Sequence, residues 1–238
     1  MDVREETKLK KAQQSFALLY EVSRAIVSNR YLEEILSLVV VLTADLMDSK
    51  ICSLMLLDDE KQELVIKATQ SLSEAYRSKP PVKVGESVSG RAVQKKQAIT
   101  VLDVTKEKGY KYPELAKTEG LRSMVAVPMM IKNRVIGVLN CYTAQEHEFT
   151  ADEIQMLSGV ANQAAVAIEN TKLLAEKVQA VDDLETRKKV ERAKTILMRR
   201  QNLSEGDAYR MLQKQSMDKR RSLKDIADAV ILSEEIGR

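Results

Sequence analysis

Aromatic side chains, histidine and helix breakers are all scarce in this chain. Among 238 residues there is no Trp, with only 2 Phe and 7 Tyr. The core must therefore be built from Leu, Ile, Val, Ala and Met rather than from stacked rings. The two cysteines, Cys52 and Cys141, are too few and too far apart in sequence for a disulfide framework or a Cys-rich metal centre. Each lies in an apolar, strand-like run and reads as a buried, reduced thiol. One histidine, His147 in "QEHEFTADE", supplies neither a catalytic triad nor a His-based metal site, and reads as a surface loop residue. The greasiest run, "LSLVVVLTADLM", has about a dozen residues and ends in acid, too short to cross a bilayer. The opening "MDVREETKLKKAQQ" lacks the apolar stretch of a signal peptide. These absences exclude a disulfide-stapled or membrane-embedded chain and lead to the expectation of a cytoplasmic protein.

What is present is 44% apolar and 31% charged sequence, a globular composition long enough for one large or two modest domains. The net charge of +3 conceals an uneven distribution. Residues 187–238 hold 14 Lys and Arg against 8 Asp and Glu, so all of the positive surplus belongs to the C-terminal fifth.

No Gly or Pro occurs before Pro80. Leu9, Ala12, Phe16, Leu19 and Val22 predict a first helix over 5–28, and a second is expected from about Tyr31 to Met47. Strands are expected at "ICSLMLLD" and "ELVIKATQ" around the turn "DEKQ", and at "AITVLDV". A hairpin is expected from "RSMVAVPMMI" and "VIGVLNCYT". Pro128 requires an interrupted or edge-like position in the first of these strands. Residues 105–120 read as a loop. From Thr150, where Thr150 and Glu153 form a capping box, helical texture runs with no Gly or Pro between Gly159 and Gly206. A helix over 150–201 would measure about 75 Å at 1.5 Å per residue, far longer than one globular domain needs. Leu174, Val178, Val181 and Leu184 within it are spaced like a short coiled-coil seam, a dimeric linker or a helix packed on its own domain. Ser204 with Asp207, and Ser222 with Asp225, start two further helices that can close a small three-helix core.

Enzyme chemistry finds no support. "LMLLDDEK" resembles the phosphoacceptor strand of a receiver, but a second strand follows after only a few residues, which makes Asp58 and Asp59 turn residues. "GESVSG" lacks the Gly-Lys-Ser/Thr of a phosphate loop, and Ser89 reads as the cap of the following helix. The C-terminal bases are a stronger feature. At 100° per residue Lys188, Arg192 and Arg199 fall within about 40° of one another, opposite Val190, Ala193 and Leu197. Lys194 lies beside the apolar face, and Lys219, Arg220 and Arg221 precede the last helix. By charge alone this is either a solvated helix surface or a footprint for an acidic partner.

Residues 184–236 resemble an ANTAR domain, the three-helix RNA-binding module of bacterial antiterminators. The resemblance rests on "ERAKTILM" (Ala193, Lys194, Leu197, Met198), "LSEGDAYRML" (Leu203, Ser204, Ala208, Tyr209, Leu212) and "MDKRRSLKDIADAV" (Arg220, Leu223, Ile226, Ala227, Val230). Thr195 departs from the Gly common there. Residues 31–172 resemble a GAF sensory domain, a central antiparallel sheet with helices on one face. The matching stretches are "VGESVSGRAVQKKQAITVLDV", "EGLRSMVAVPMMIKNRVIGVLNCYT" and "EFTADEIQMLSGVANQAAVAIENTKLL". The Cys-His attachment site of bilin-binding relatives is missing, and one loop His disfavours haem.

The resemblances imply an α+β protein: an N-terminal dimerisation helix (1–30), a GAF domain (31–172), a helical linker (173–186) and an ANTAR domain (187–238). They imply a homodimer that binds paired RNA stem-loops in a nascent leader and so prevents a terminator hairpin from forming. Lys194, Arg220 and Arg221, which match or adjoin the family pattern, would be the main phosphate contacts, with Lys188, Arg192 and Arg199 as a second electrostatic tier, and Tyr209 would stack on a base or join the core. Lys194 has a second reading, in which its stem only shields the apolar face. No cofactor or metal is expected. A small-molecule effector or a signalling protein acting on the GAF domain stays open. The alternatives are a DNA-binding helix-turn-helix regulator, or a module that binds only protein. "SLKDIADAVILSEE", with one Lys against four acids, is a poor reading helix for DNA.

Overall fold

The computed structural model describes residues 32–71 and 73–236. The helix expected over 5–28 lies outside the described residues. By its internal contacts the chain divides into two compact units, Met1–Thr171 and Lys172–Arg238.

The first unit is built on a six-stranded antiparallel sheet of order β3-β2-β1-β6-β5-β4. Helix α1 (Leu32–Leu46) leads into the hairpin β1 (Ile51–Asp58) and β2 (Glu63–Thr69). There Asp58 Oδ1 accepts from the Glu60 and Lys61 amides, so this acid holds a turn, as its sequence context requires. Then come α2 (Glu74–Arg77), β3 (Val82–Lys83), α3 (Ser87–Lys95), β4 (Ile99–Val101) and α4 (Pro113–Thr118). Strands β5 (Met124–Ile131) and β6 (Arg134–Tyr142) form the expected hairpin. Strand β4 pairs with β5 only as far as Ala126, so Pro128 lies beyond it on a stretch paired to β6 alone. Its missing donor therefore breaks no ladder on that side.

Alternation along the strands fills two cores. Cys52, Leu54, Val127, Leu139 and Cys141 face α1 and the start of α5 (Ala151–Gln201), where Leu157, Ala161, Ala164 and Ile168 pack. Ile51, Met55, Met124, Val138 and Tyr142 face the other way, against Tyr76, Val88, Ala92, Tyr110 and Leu121. Helices thus cover both faces rather than one. The helices on the second face have only 4, 9 and 6 residues, and a helix that short has little periodic pattern to read. This is also why 105–120 reads as loop although it contains α4, which opens with Pro113 at its first position.

Ser89 departs from its expected role. Helix α3 begins at Ser87, and Ser89 sits inside its first turn, buried, donating to Asn140 Oδ1 at 2.9 Å. A partner 51 residues away leaves no local trace. Gly90 in the same motif is required by close approach, because a Cβ there would stand 2.2 Å from the Lys83 carbonyl oxygen. Cys52 and Cys141 are directly paired across β1 and β6, both free and fully buried, with sulfurs 3.7 Å apart. Burial raises the Cys52 thiol pKa, so it stays a thiol. The expected capping box opens α5: Thr150 Oγ1 accepts from the Glu153 amide, and Glu153 Oε2 accepts from the Thr150 amide at 2.9 Å. His147 is tied into it, 3.1 Å from Glu153 Oε2 and edge-on to Phe149, so it is more than a free loop side chain.

Candidate nucleic-acid interface

The second unit consists of the C-terminal part of α5 with α6 (Glu205–Lys219) and α7 (Leu223–Ile236). Val190, Ala193, Ile196 and Leu197 close with Ala208, Leu212, Ile226, Ala227 and Ile231 into the expected three-helix core. Both start signals act as N-caps: Ser204 Oγ accepts from the Asp207 amide at 3.2 Å, and Ser222 Oγ from the Asp225 amide at 3.0 Å. Arg220 adopts a left-handed conformation as the C-cap of α6, and Ser216 Oγ donates to the Arg221 carbonyl at 2.6 Å. The exposed Lys219, Arg220 and Arg221 lie at that corner.

The structure separates the basic residues into two groups. One group is occupied by the acids of α7. Lys189 meets Asp228 at 2.7 Å, Arg192 meets Glu235 at 2.9 Å, and Arg199 and Arg200 both meet Glu234. Lys224 reaches back to Asp182 and Glu185 on α5. The acidity of α7 therefore complements the basic side of α5. Pairs this close to solvent add little stability, but they reduce the net positive field around Arg192 and Arg199.

The other group has no ion pair among the described residues: Arg187, Lys188, Lys214, Lys219, Arg220 and Arg221, all exposed. Of the expected phosphate contacts, Lys188, Arg220 and Arg221 belong here. Arg187 was not among the expected contacts. It lies seven residues before Lys194, hence on nearly the same side of the helix, and that spacing is the signal that could have found it.

Lys194 is placed differently from a phosphate contact. Its side chain is only 9% exposed, and its ammonium donates to Glu205 Oε1 at 2.7 Å and to both Glu191 oxygens at 2.9 and 3.0 Å. These bonds, Glu205's first, raise its pKa. With two carboxylates already on it, the ammonium joins α5 to the start of α6. Tyr209 is not part of the core: it is 38% exposed. It lines a groove of about 440 Å³ with Asp183, Thr186, Arg187, Val190, Glu191, Lys194 and Leu223. Arg220 and Arg221 precede that Leu223 by three and two residues. An exposed ring, the apolar Val190 and Leu223 beside it and the Arg187 guanidinium are elements that can stack a base and hold its phosphate.

Residues 29–169, more than half of the chain, match the GAF domain. The chain belongs to the GAF family. Residues 179–231 match the ANTAR domain, so the second unit carries the family of the three-helix module. The ANTAR region is similar to the transcriptional regulatory protein PdtaR of Mycobacterium tuberculosis, 40% identical over 63 residues, which are 26% of this chain and 31% of that protein. The GAF region is similar to the Escherichia coli phosphoenolpyruvate-dependent phosphotransferase system protein, 24% identical over 157 residues, or 66% of this chain and 21% of that protein. The chain thus spans a third or less of these curated relatives. Among solved structures, the GAF domain of a Coxiella burnetii phosphoenolpyruvate-protein phosphotransferase superposes with a TM-score of 0.62 at 24% identity, covering 69% of this chain and 98% of that one. The free methionine-R-sulfoxide reductase of Neisseria meningitidis superposes at 0.59 with 19% identity, covering 69% and 93%. A phosphotransferase and a reductase thus share this GAF fold, and the function has to be argued from the site. Among the described residues no helix is long and apolar enough to cross a membrane, and no cluster of His, Cys, Asp or Glu could hold a metal ion.

Proposed function

We propose that the chain is a signal-responsive, RNA-binding transcription antiterminator, with the GAF unit as sensor and the ANTAR unit as effector. The observation that carries the reading is the exposed Tyr209 in a groove with Arg187, on a unit whose Arg187, Lys188, Arg220 and Arg221 have no ion pair among the described residues. Lys188, Arg220 and Arg221 supply sequence-independent attraction to RNA phosphates, and Tyr209 stacks on an unpaired loop base. Lys194 positions Glu191 and α6 around the groove, and Arg192 and Arg199 make a weaker electrostatic contribution. Binding to paired stem-loops in a leader transcript would compete with a terminator hairpin. The regulation needs no catalysis by either unit.

The sequence similarity to a transcriptional regulatory protein supports the same reading. A DNA-reading role for α7 is disfavoured because Asp228, Glu234 and Glu235 lie on it, each held by a base of α5. The deciding measurement is a salt titration of binding to RNA hairpins with two loops, against duplex DNA of equal length. The antiterminator reading expects hairpin preference and a steep salt slope; equal affinity for the duplex would favour the DNA reading, and no binding to either the protein-interaction reading.

Dimerisation belongs to the same proposal. Leu173, Leu174, Val178, Val181 and Leu184 are each between 50% and 66% exposed on α5. A second copy meeting this stripe in parallel would bury it and supply two RNA sites for two stem-loops. Because α5 continues from Ala151 to Gln201 without a break, a tilt or register shift of the paired helices is the proposed route of the signal.

A further inference from the structure

The last turn of α7 carries its charge at the unfavourable end of a helix. Glu234 and Glu235 stand beside the C-terminal carbonyls, and no base lies within that turn to offset them. The helix dipole disfavours acids at this end. Apolar packing does little to hold the turn down. Ile231 is the last residue of α7 in the three-helix core, while Leu232 and Ile236 are 56% and 77% exposed.

Guanidinium groups of α5 make the ties instead. Arg199 and Arg200 converge on the two oxygens of Glu234, Arg199 on Oε1 and Arg200 Nε on Oε2 at 2.6 Å. Arg192, seven residues before Arg199 and so on nearly the same side of α5, meets Glu235 Oε1 at 2.9 Å. Arg200 also donates to the Ser233 carbonyl at 3.4 Å. Arg192 and Arg199 line a cavity of about 250 Å³ with Thr195, Ile196, Glu234 and Glu235. Two guanidiniums closing on the oxygens of one anion suit a phosphodiester as well as a carboxylate, because both present oxygens to the same fork of donors. All three arginines stay partly exposed, so a polyanion can reach them. Ion pairs in this setting stabilise little, and a terminal turn opens at little cost. That makes a poor staple and a good exchangeable contact.

We propose that Arg192, Arg199 and Arg200 form a cradle for the RNA backbone, and that Glu234 and Glu235 occupy it in place of phosphates until RNA displaces them. The last turn of α7 is then an electrostatic latch on this part of the RNA surface. The proposal rests on the RNA-binding reading above and adds to it Arg200 and a competitor built into the chain. Lys188, Arg220 and Arg221 have no carboxylate to displace, so they meet RNA first and the cradle follows once the latch opens.

The test uses the full chain. Glu234→Gln with Glu235→Gln keeps the size of both side chains and removes their charge. It should tighten binding to RNA hairpins at least about tenfold. The gain should vanish when Arg192, Arg199 and Arg200 are also changed to Ala, since it belongs to those three bases and not to net charge. A gain that survives in that background is a general field effect and overturns the latch. Parent-like hairpin affinity in the double Gln variant overturns it too, and a lowered melting temperature would then mark the ion pairs as a staple only. A second measurement needs no substitution: amide hydrogen exchange over 232–236 in the parent should quicken on RNA binding, and unchanged or slower exchange counts against the proposal. Heparin, a polyanion without bases or loops, is titrated in parallel. If neither protein binds hairpins but the Gln variant gains on heparin through the same three arginines, the latch stands as a contact opened by polyanions and the RNA reading fails. If the parent binds hairpins and the Gln variant gains on neither, the latch fails and the RNA reading stands.

Discussion

At the residue scale, side chains that look alike in sequence divide according to what they touch. Arg220 and Arg221 stand at the α6–α7 corner with no ion pair among the described residues, whereas Lys194 is enclosed by Glu191 and Glu205. Arg220→Ala and Arg221→Ala should therefore weaken binding to all hairpins alike and lower the log–log salt slope by about one unit each, with the melting temperature unchanged. Lys194→Met should do the converse: lower the melting temperature by leaving two carboxylates facing each other, with the salt slope held. A salt slope that falls with Lys194→Met at constant melting temperature would return this lysine to the phosphate contacts. Asp103 offers a second test. Thr105 Oγ1 donates to it at 2.6 Å, Arg122 at 2.9 Å, and Lys106 lies 3.0 Å away. The Thr105 bond above all, with Lys106, holds its carboxyl well below the usual carboxylate range. A depressed folded-state pKa contributes stability that is present above the unfolded value, about 4, and is lost as pH falls below it. The melting temperature should drop on acidification through that window, and Asp103→Asn should have a shallower drop after starting lower.

At the element scale, the informative features are a close approach and an exposed stripe. Gly90 lets α3 rest on the carbonyl of Lys83, and a methyl group would be only 2.2 Å from that oxygen. Since the neighbour is backbone, Gly90→Ala should cost about 1–3 kcal/mol in denaturant unfolding, as overpacking does. A cost near zero would mean that α3 can shift freely off β3. The stripe on α5 is tested by Leu174→Asp with Val181→Asp, two exposed residues that belong to none of the three cores. The double variant should keep its helical circular dichroism and lose self-association. Inserting Gly-Gly after Val181 should leave RNA binding intact while abolishing its response to an effector; a preserved response would remove the continuous helix from the mechanism.

At the scale of the whole molecule, the proposal requires two chains. Light scattering of the full protein should give about twice the 26.8 kDa chain mass, and the Leu174→Asp, Val181→Asp variant should return to the single-chain value. RNA with two hairpins should then bind the parent more tightly than RNA with one, an avidity gain that the variant loses. A monomer with and without RNA would remove the dimer while leaving the single-site RNA reading to be judged by the salt titration.

By itself the sequence determined whatever depends on neighbours in the chain. The helix starts at Thr150, Ser204 and Ser222, the hairpin turn at Asp58, and the three-helix core of Val190, Ala193 and Leu212 all follow from spacing over a few residues. The two family resemblances were legible too, because their motifs are continuous stretches. The tertiary structure decided which polar groups are used up and which are free. Ser89 turns inward to Asn140 across 51 residues, Cys52 meets Cys141, and the acids of α7 occupy Arg192 and Arg199 but leave Arg220 and Arg221 exposed. A side chain's charge is a property of its residue type. Its availability to a partner is set by desolvation and by counter-ions brought from distant elements, and only the folded chain brings them together.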